Sequence, residues 1–429
     1  MKVLHIVTAF PRHEEDVITP WLGRLLVGLR DAGAAVSVLA PAYRGGGAAS
    51  WCGIPVRRFR YAPAFLETLT HDETVPDRLR SQPAYAALLP GYFLGGTVSA
   101  AIAAAEADAP DIVHVHWPVP HAWFGAVART VSGGRTALVS SFYSVEIRWI
   151  ERQLPWAVPL LRWAIETSDA LTAISTATAD AVRRYSIRDV AVIPFSASLS
   201  APAAATLAGD PHPGRAPAPP DALRILFVGR LVERKGVPIL LEALRLVRQS
   251  APASLTVVGD GPLRAHLERQ AGDLGGAVDF RGRVTADELA ALYAASDVFV
   301  LPAVVDAKGD TEGLGVVLLE ALEFELPVIA SRVGGIPDII EDGTTGWLVP
   351  PADARSLARK ILAVMDRPDE ARRVARHGRV RSRERFGLTR VVDDLLDAYA
   401  RAISDRRAGA MGDRTSESSR RPSGGSRRT

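Results

Sequence analysis

The feature that most limits what this chain can fold into is the recurrence, from end to end, of short β-branched runs separated by longer segments of helical period. The runs fall at 3–8, 36–40, 112–115, 137–140, 170–174 and 190–193, and again at 225–228, 255–258, 278–280, 298–301, 328–330 and 347–349. Apolar runs of this kind separated by amphipathic segments imply crossover units, hence parallel sheets with helices on both faces. Between the two sets, residues 201–221 carry six prolines in 21 positions, a linker stiffened by proline. A chain of 429 residues is too long for one core. The pattern therefore predicts an α/β chain with two doubly wound domains, 1–200 and 222–387, and a ligand cleft between them. An amphipathic helix follows at 388–403, and a tail at 404–429.

Composition narrows the partners. The net charge of +3 points to nucleic acid or membrane until the charge is located. The tail holds seven arginines against three acids and so carries +4, leaving −1 for the rest. A tail rich in Ser, Gly and Arg is expected to be disordered and solvated, with contact to anionic lipid as the alternative and no nucleic-acid partner. The single cysteine, Cys52, excludes a disulfide framework and fits a reducing compartment. The apolar run at the N-terminus lacks a cleavage pattern, so the expected location is cytoplasmic, with any membrane contact peripheral at the inner face. Residues 84–105 form an uncharged stretch long enough to span a bilayer. Interrupted by Pro90, Gly91, Gly95 and Gly96, it is expected to be a buried, Ala-rich helix of a soluble domain.

In the second half, Pro238, Pro262 and the pair Asp287-Glu288 mark helix starts just after strands. Helix N-termini at the carboxyl edge of a parallel sheet favour anions, so a phosphate-bearing ligand is expected. Neither the dinucleotide fingerprint nor GxxxxGK[ST] is present. Arg230 follows a strand in "ILFVGR" and Lys235 lies five residues on, in "LVERKG"; two fixed cations there suit a diphosphate, and two solvated loop cations are the plain alternative. In "DTEGLGVVLLEAL", Gly313, Leu314, Gly315 and Val316 place free amides at a helix N-terminus, behind Glu312. Glu320 sits about two turns in, among Val316, Val317, Leu318, Leu319 and Leu322. Burying it calls for hydrogen-bond donors such as two sugar hydroxyls, unless it faces solvent.

The ordered series "FVGRLVERKG", "VVGDGPLR", "FRGRV", "DVFVLPA", "DTEGLGVVLLEAL", "PVIASRVGGIPDII" and "DGTTGWLVPPAD" resembles the retaining glycosyltransferases of GT-B fold, family 4, across about 224–386. The resemblance implies two Rossmann-like domains facing a deep cleft, with a nucleotide-sugar donor held mainly by the second. Arg230, Lys235 and the amides of 313–316 would hold the diphosphate, Glu320 the ribose, Glu312 the transferred sugar, and Arg283-Val284 would lie along the base. It implies no cofactor and no divalent metal. UDP-sugars are favoured, GDP-sugars next, and the acceptor is a hydroxyl of a glycan, glycolipid or small molecule. Helix 388–403 would cross back onto the first domain.

The first half resembles the family more loosely. Its first loop carries His13-Glu14-Glu15-Asp16 where many members have Gly-Gly, and these acids are expected to face solvent, with an acceptor as the alternative. In "DIVHVHW", His114 and His116 share one strand face, with His116 near the cleft; it either bonds substrate or is packed. Metal binding is a further reading, but no third ligand stands at helpful spacing. Where many relatives have His-Gly-x-Asp, this chain has Tyr143, Ser144, Val145 and Glu146, so Tyr143 and Glu146 become the candidate polar groups beside the reacting sugar. Trp149, Trp156 and Trp163 recur every seven residues and are expected to pack in the core, an acceptor groove or membrane-facing patch being the alternative. The rival functions are a nucleotide-sugar epimerase or phosphorylase, and a catalytically silent partner subunit that binds nucleotide-sugar or glycan.

Overall fold

A computed structural model describes residues 1–199 and 222–418 apart from 15, 17, 73, 107 and 108, with side chains as far as 408. The first sheet contains β1 (Lys2–Ile6), β2 (Ala35–Pro41), β3 (Ser50–Trp51), β4 (Ile54–Phe59), β5 (Ile112–His116), β6 (Ala137–Phe142), β7 (Ala170–Ala173) and β8 (Ala191–Val192). Its order is β3-β4-β2-β1-β5-β6-β7-β8, parallel except for the edge strand β3. The second sheet contains β9 (Leu223–Val228), β10 (Ala253–Val258), β11 (Val278–Gly282), β12 (Val298–Leu301), β13 (Val328–Ser331) and β14 (Trp347–Val349), all parallel, in the order β11-β10-β9-β12-β13-β14. Every one of the twelve apolar runs is a strand. The two strands that the pattern missed, β3 and β4, lie at the sheet edge, where Pro55, Arg57 and Arg58 break up the apolar run.

Helices α1 (Pro20–Asp31), α2 (Val75–Ser81), α3 (Leu89–Ala105), α4 (Pro118–Val131), α5 (Val145–Gln153), α6 (Val158–Thr167) and α7 (Thr176–Arg183) accompany the first sheet. The second has α8 (Val237–Arg248), α9 (Arg264–Gln270), α10 (Ala286–Ala295), α11 (Val316–Glu323), α12 (Ile336–Ile339), α13 (Ala354–Asp366) and α14 (Pro368–Phe386). Helix α10 starts in a full capping box between Thr285 and Glu288, which satisfies two otherwise orphaned amides. The linker expected at 201–221 lies outside the described residues.

The last helix, α15 (Leu388–Ser418), leaves the second domain at Gly387 and packs on the first. Val391, Val392, Leu395, Ala398, Tyr399 and Ala402 are buried with Val3, Leu22, Leu26 and Val139. Helix runs on to Ser418 rather than stopping at 403, so the first part of the expected tail is helical; 419–429 lie outside the described residues.

Helix α3 departs from expectation. Its buried residues are Tyr92, Gly96, Ala100 and Ala104, and of its apolar window only 17% is buried. The glycines decide this. A Cβ on Gly91 would stand 2.2 Å from the Tyr61 carbonyl oxygen, and one on Gly95 2.3 Å from that of Arg60. On Gly96 it would meet the Phe124 ring at 2.4 Å. Small residues let the helix approach the sheet closely, and its large apolar side chains are turned outward.

Because α15 completes the first domain's core, Leu395→Ala should destabilise that domain by about 2–5 kcal/mol. Denaturant unfolding followed by the tryptophans, seven of which lie in the first half, checks this.

Candidate active site

Parallel pairing puts the carboxyl ends of β9 and β12 side by side, and the predicted cations and acids gather there. After β9 the chain passes Arg230 and makes a short turn at Glu233–Lys235 that ends on Gly236 at φ 69°. A Cβ there would sit 1.8 Å from the Pro302 carbonyl oxygen, so only glycine lets this turn pack against the segment after β12. That packing delivers Lys235 to Glu312. The Lys235 ammonium and the Glu312 carboxylate form a buried ion pair, and Arg234 Nη1 lies 3.2 Å from the same carboxylate oxygen. Burial alone would raise the Glu312 pKa, but Lys235 and Arg234 pull it below the ordinary carboxylate value. Lys235 is thus engaged inside the second domain, whereas Arg230 is exposed and has no ion-pair partner among the described residues. Gly313 to Gly315, ahead of α11, sit behind Glu312, with Gly315 at φ 94° as the helix cap.

Glu320 is buried rather than solvent-facing, and the protein already supplies donors to it. The Tyr293 hydroxyl donates at 3.1 Å, and the Ser198 amide donates as well. Burial pushes the carboxyl up to about 7 against these two bonds and the nearby Arg24. Arg24 in turn donates to the Ser198 carbonyl at 2.7 Å, so the chain leaving the first domain passes over Glu320. Arg283, exposed, and Val284, packed on the core, occupy the turn between β11 and α10.

The first domain closes the other side. Arg148 of α5 donates to Asp310 at 2.5 Å and to the Thr311 carbonyl at 3.3 Å. The Thr176 amide donates to Asp338 at 2.6 Å. Tyr143 behaves differently from expectation, and His116 follows the packed alternative. Tyr143 is buried, and its hydroxyl is bonded to His116 Nδ1 at 2.5 Å, inside the domain. Its ring packs against Trp21, Trp117 and Phe195 instead of presenting a donor to the cleft. His116 is fully buried and packed. Glu146 is buried in the first turn of α5; Oε1 accepts the Tyr143 amide at 2.8 Å, and Oε2 has no partner among the described residues. Burial pushes its carboxyl up to about 7.

A third histidine does join His114 and His116. Strand pairing of β1 with β5 sets His5 opposite His114, and the three ligand atoms lie within 4.8 Å of one another. Their nitrogens are mostly spent on hydrogen bonds: His5 with His116 at 3.0 Å, His114 with Tyr399 at 2.6 Å and with Ser141 at 2.7 Å. Burial, with each imidazole's neighbours, holds all three pKa values well below 6.5. Of the first-loop acids, Glu14 is exposed as expected, whereas the Asp16 carboxylate is enclosed against Arg12. Sequence reading missed Arg234, although it stands next to Lys235, and Tyr293, Ser198 and Arg148, which carry no local signal. A cavity of about 470 Å³ on the α14–α15 side, lined by Thr176, Asp338, Arg381 and Arg385 among others, holds none of the predicted residues.

Residues 222–367 match the family described as glycosyl transferases group 1, and residues 18–196 match the glycosyl transferase 4-like domain. The chain is 40% identical over 143 residues to the amylovoran biosynthesis glycosyltransferase AmsK of Erwinia amylovora, covering 33% of this chain and 35% of that protein. It is 34% identical over 263 residues to the GDP-mannose-dependent alpha-(1-6)-phosphatidylinositol monomannoside mannosyltransferase of Mycobacterium tuberculosis, covering 57% and 65%. The alignments to the first three curated relatives span only 35% to 42% of their length. Sucrose-phosphate synthase from Thermosynechococcus elongatus superposes with a TM-score of 0.73 at 21% identity, covering 94% of this chain and all of that one. The catalytic domain of starch synthase IV from Arabidopsis thaliana gives 0.70 at 15%, covering 94% and 99%. The fold is GT-B.

A carboxyl held protonated by burial favours the folded state at low pH, and that contribution fades as pH rises from the ordinary 4.5 through about 7. Glu146→Gln should therefore gain stability relative to the unsubstituted protein across that window, by on the order of 3 kcal/mol. Melting curves of both proteins at stepped pH measure it.

Proposed function

We propose that the chain is a retaining glycosyltransferase that moves a sugar from a nucleoside-diphosphate sugar to a hydroxyl of a glycan, glycolipid or small molecule. The observation that carries the proposal is the convergence at one sheet edge of Arg230, the Lys235–Glu312–Arg234 cluster and the Gly313–Val316 amides, with Glu320 two turns behind. Arg230 and the helix N-terminus face the diphosphate, and Lys235 turns toward it when the sugar's hydroxyls take over part of Glu312. As the glycosidic bond to diphosphate breaks, these charges stabilise the leaving group, and the acceptor hydroxyl attacks on the same face with its proton passing to the leaving phosphate. Cations and helix dipole do the neutralising that a divalent metal would otherwise supply. Glu320 exchanges the Ser198 amide for ribose hydroxyls. With Tyr143 turned inward, Glu146 is the polar group that the first domain offers near the transferred sugar. UDP-sugars remain the first expectation from the family, and the similarity to GDP-mannose-dependent mannosyltransferases brings GDP-sugars level with them.

Thermal stabilisation by UDP, GDP, ADP and NAD tests the donor site. One nucleoside diphosphate should raise the melting temperature, and Lys235→Ala and Glu320→Ala should each weaken that shift by about tenfold in affinity or more. A folded protein indifferent to all four sinks the reading. Because ribose hydroxyls donate to a carboxylate, binding should tighten as pH rises through about 7, and Glu320→Gln should flatten that profile. Anomeric configuration of the product, read by NMR, decides retention.

A further inference from the structure

The first domain carries a second polar cluster at its carboxyl edge, away from the donor site. The loop after β1 brings Arg12 and Asp16 to the end of β4, where Arg58 stands beside Ala40 of β2. Arg12 donates to Asp16 through Nε at 2.5 Å and through Nη2 at 3.2 Å, which occupies that carboxylate. Arg58 has no carboxylate of its own. Its Nη2 donates to the Pro11 carbonyl at 2.5 Å, while Nε and Nη1 are buried with no hydrogen-bond partner among the described residues. The exposed Gly47 lies over them, and a Cβ there would stand 2.1 Å from Arg58 Nε. Desolvation lowers the Arg58 pKa, Asp16 draws it back up, and Arg12 lowers it further. His71, facing the same two guanidiniums, is pushed down to about 4 by burial and by their charge. Arg44, exposed, lies 5.5 Å from the Tyr43 ring, and Arg12 lies 4.9 Å from the same ring. The neighbouring Asp72 is already bonded to the Tyr43 hydroxyl at 2.9 Å and to Arg78 at 3.3 Å.

A guanidinium that serves packing alone has its donors met by the protein. Arg188 of the same domain does so, with Nη1 on the Ile165 carbonyl and Nη2 on the Asp169 carbonyl. Leaving charged donors unmet at Arg58, with a second guanidinium beside it, is costly unless an anion joins them. We propose that Arg58, Arg12 and Arg44 bind a phosphate group carried by the acceptor, so that the sugar is transferred to a phosphate-bearing molecule. A planar carboxylate is satisfied by one guanidinium, as Asp16 is by Arg12, whereas a tetrahedral dianion suits cations converging from a loop, a strand and a turn. Strand order fixes the place. From β6, which leads into the α5 contact with the second domain, the edge runs over β5, β1 and β2 to β4. At about 4.8 Å per strand this is on the order of 20 Å. The phosphate therefore belongs to a part of the acceptor remote from the attacking hydroxyl, and it anchors and orients that molecule. This reading of the acceptor rests on the transferase function proposed above; the anion site does not.

The test is calorimetric titration of the full chain with inorganic phosphate at constant ionic strength, for the parent, Arg58→Gln, Arg44→Ala and Arg230→Ala. Arg44 is exposed, so its variant should melt like the parent and keeps the test open should Arg58→Gln fail to fold. Phosphate binding should survive in Arg230→Ala. It should weaken about tenfold or more in Arg58→Gln and about threefold in Arg44→Ala, with affinity for the stabilising nucleoside diphosphate unchanged in both. Absence of phosphate binding by the parent overturns the proposal. So does binding lost only in Arg230→Ala, which places the anion in the donor site, or tighter binding of glucuronate than of phosphate through Arg58. Phosphate bound through Arg58 by a protein indifferent to UDP, GDP, ADP and NAD upholds the anion site and sinks the donor assignment, so the two failures are told apart.

Discussion

Parallel strand pairing is the constraint on which the rest depends. A parallel sheet forces every connection to cross over, so all carboxyl ends emerge at one edge, together with the N-termini of the following helices. Two such sheets in one chain give two chemically active edges. Here they confront each other, held by Arg148 on Asp310, Thr176 on Asp338 and the Ser198 amide on Glu320. Helix α15 adds a permanent constraint by leaving the second domain and completing the first domain's core, so that the first domain is built from two separate stretches of chain.

Charge at the second edge is self-contained. Burying Lys235 or Glu312 alone would be costly; the ion pair between them offsets that cost, and Arg234 bridges Glu312 to Asp310. A ligand that competed for Glu312 would free cationic charge in the same step, which is the coupling on which the proposed function rests. Glu320 follows the same pattern at lower cost, since it is bonded to a phenol and an amide instead of a cation. The first edge is organised differently. Its histidines are neutral, interlinked and sealed by Tyr399 of α15, and they hold Tyr143 away from the cleft.

The first domain carries a second asymmetry, between its helix layers. The α1–α15 side buries its large side chains in the ordinary way, whereas the α3–α4–α6 side buries glycine and alanine and exposes Leu, Val, Ile and Trp. Composition along 84–105 looked like a core helix because hydropathy does not say which residues face inward. Close packing reversed the expected burial, since each glycine removes a Cβ that would collide with a carbonyl or a ring.

Strand positions, the division into two sheets and the placement of Arg230 and Lys235 after a strand and of Glu312 and Glu320 around a helix N-terminus were legible because each depends on local pattern: apolar runs, proline and glycine punctuation, and motif order. What was not legible depends on partners distant in sequence. His5 meets His116 across 111 residues, His114 meets Tyr399 across 285, and Arg148 meets Asp310 across 162. Local composition thus determined the fold class and where the polar groups of the second domain would gather. Only the tertiary structure decided which of those groups are already paired, which way Tyr143 points and which face of α3 meets solvent, because packing and ion pairing join residues whose separation along the chain leaves no periodic trace.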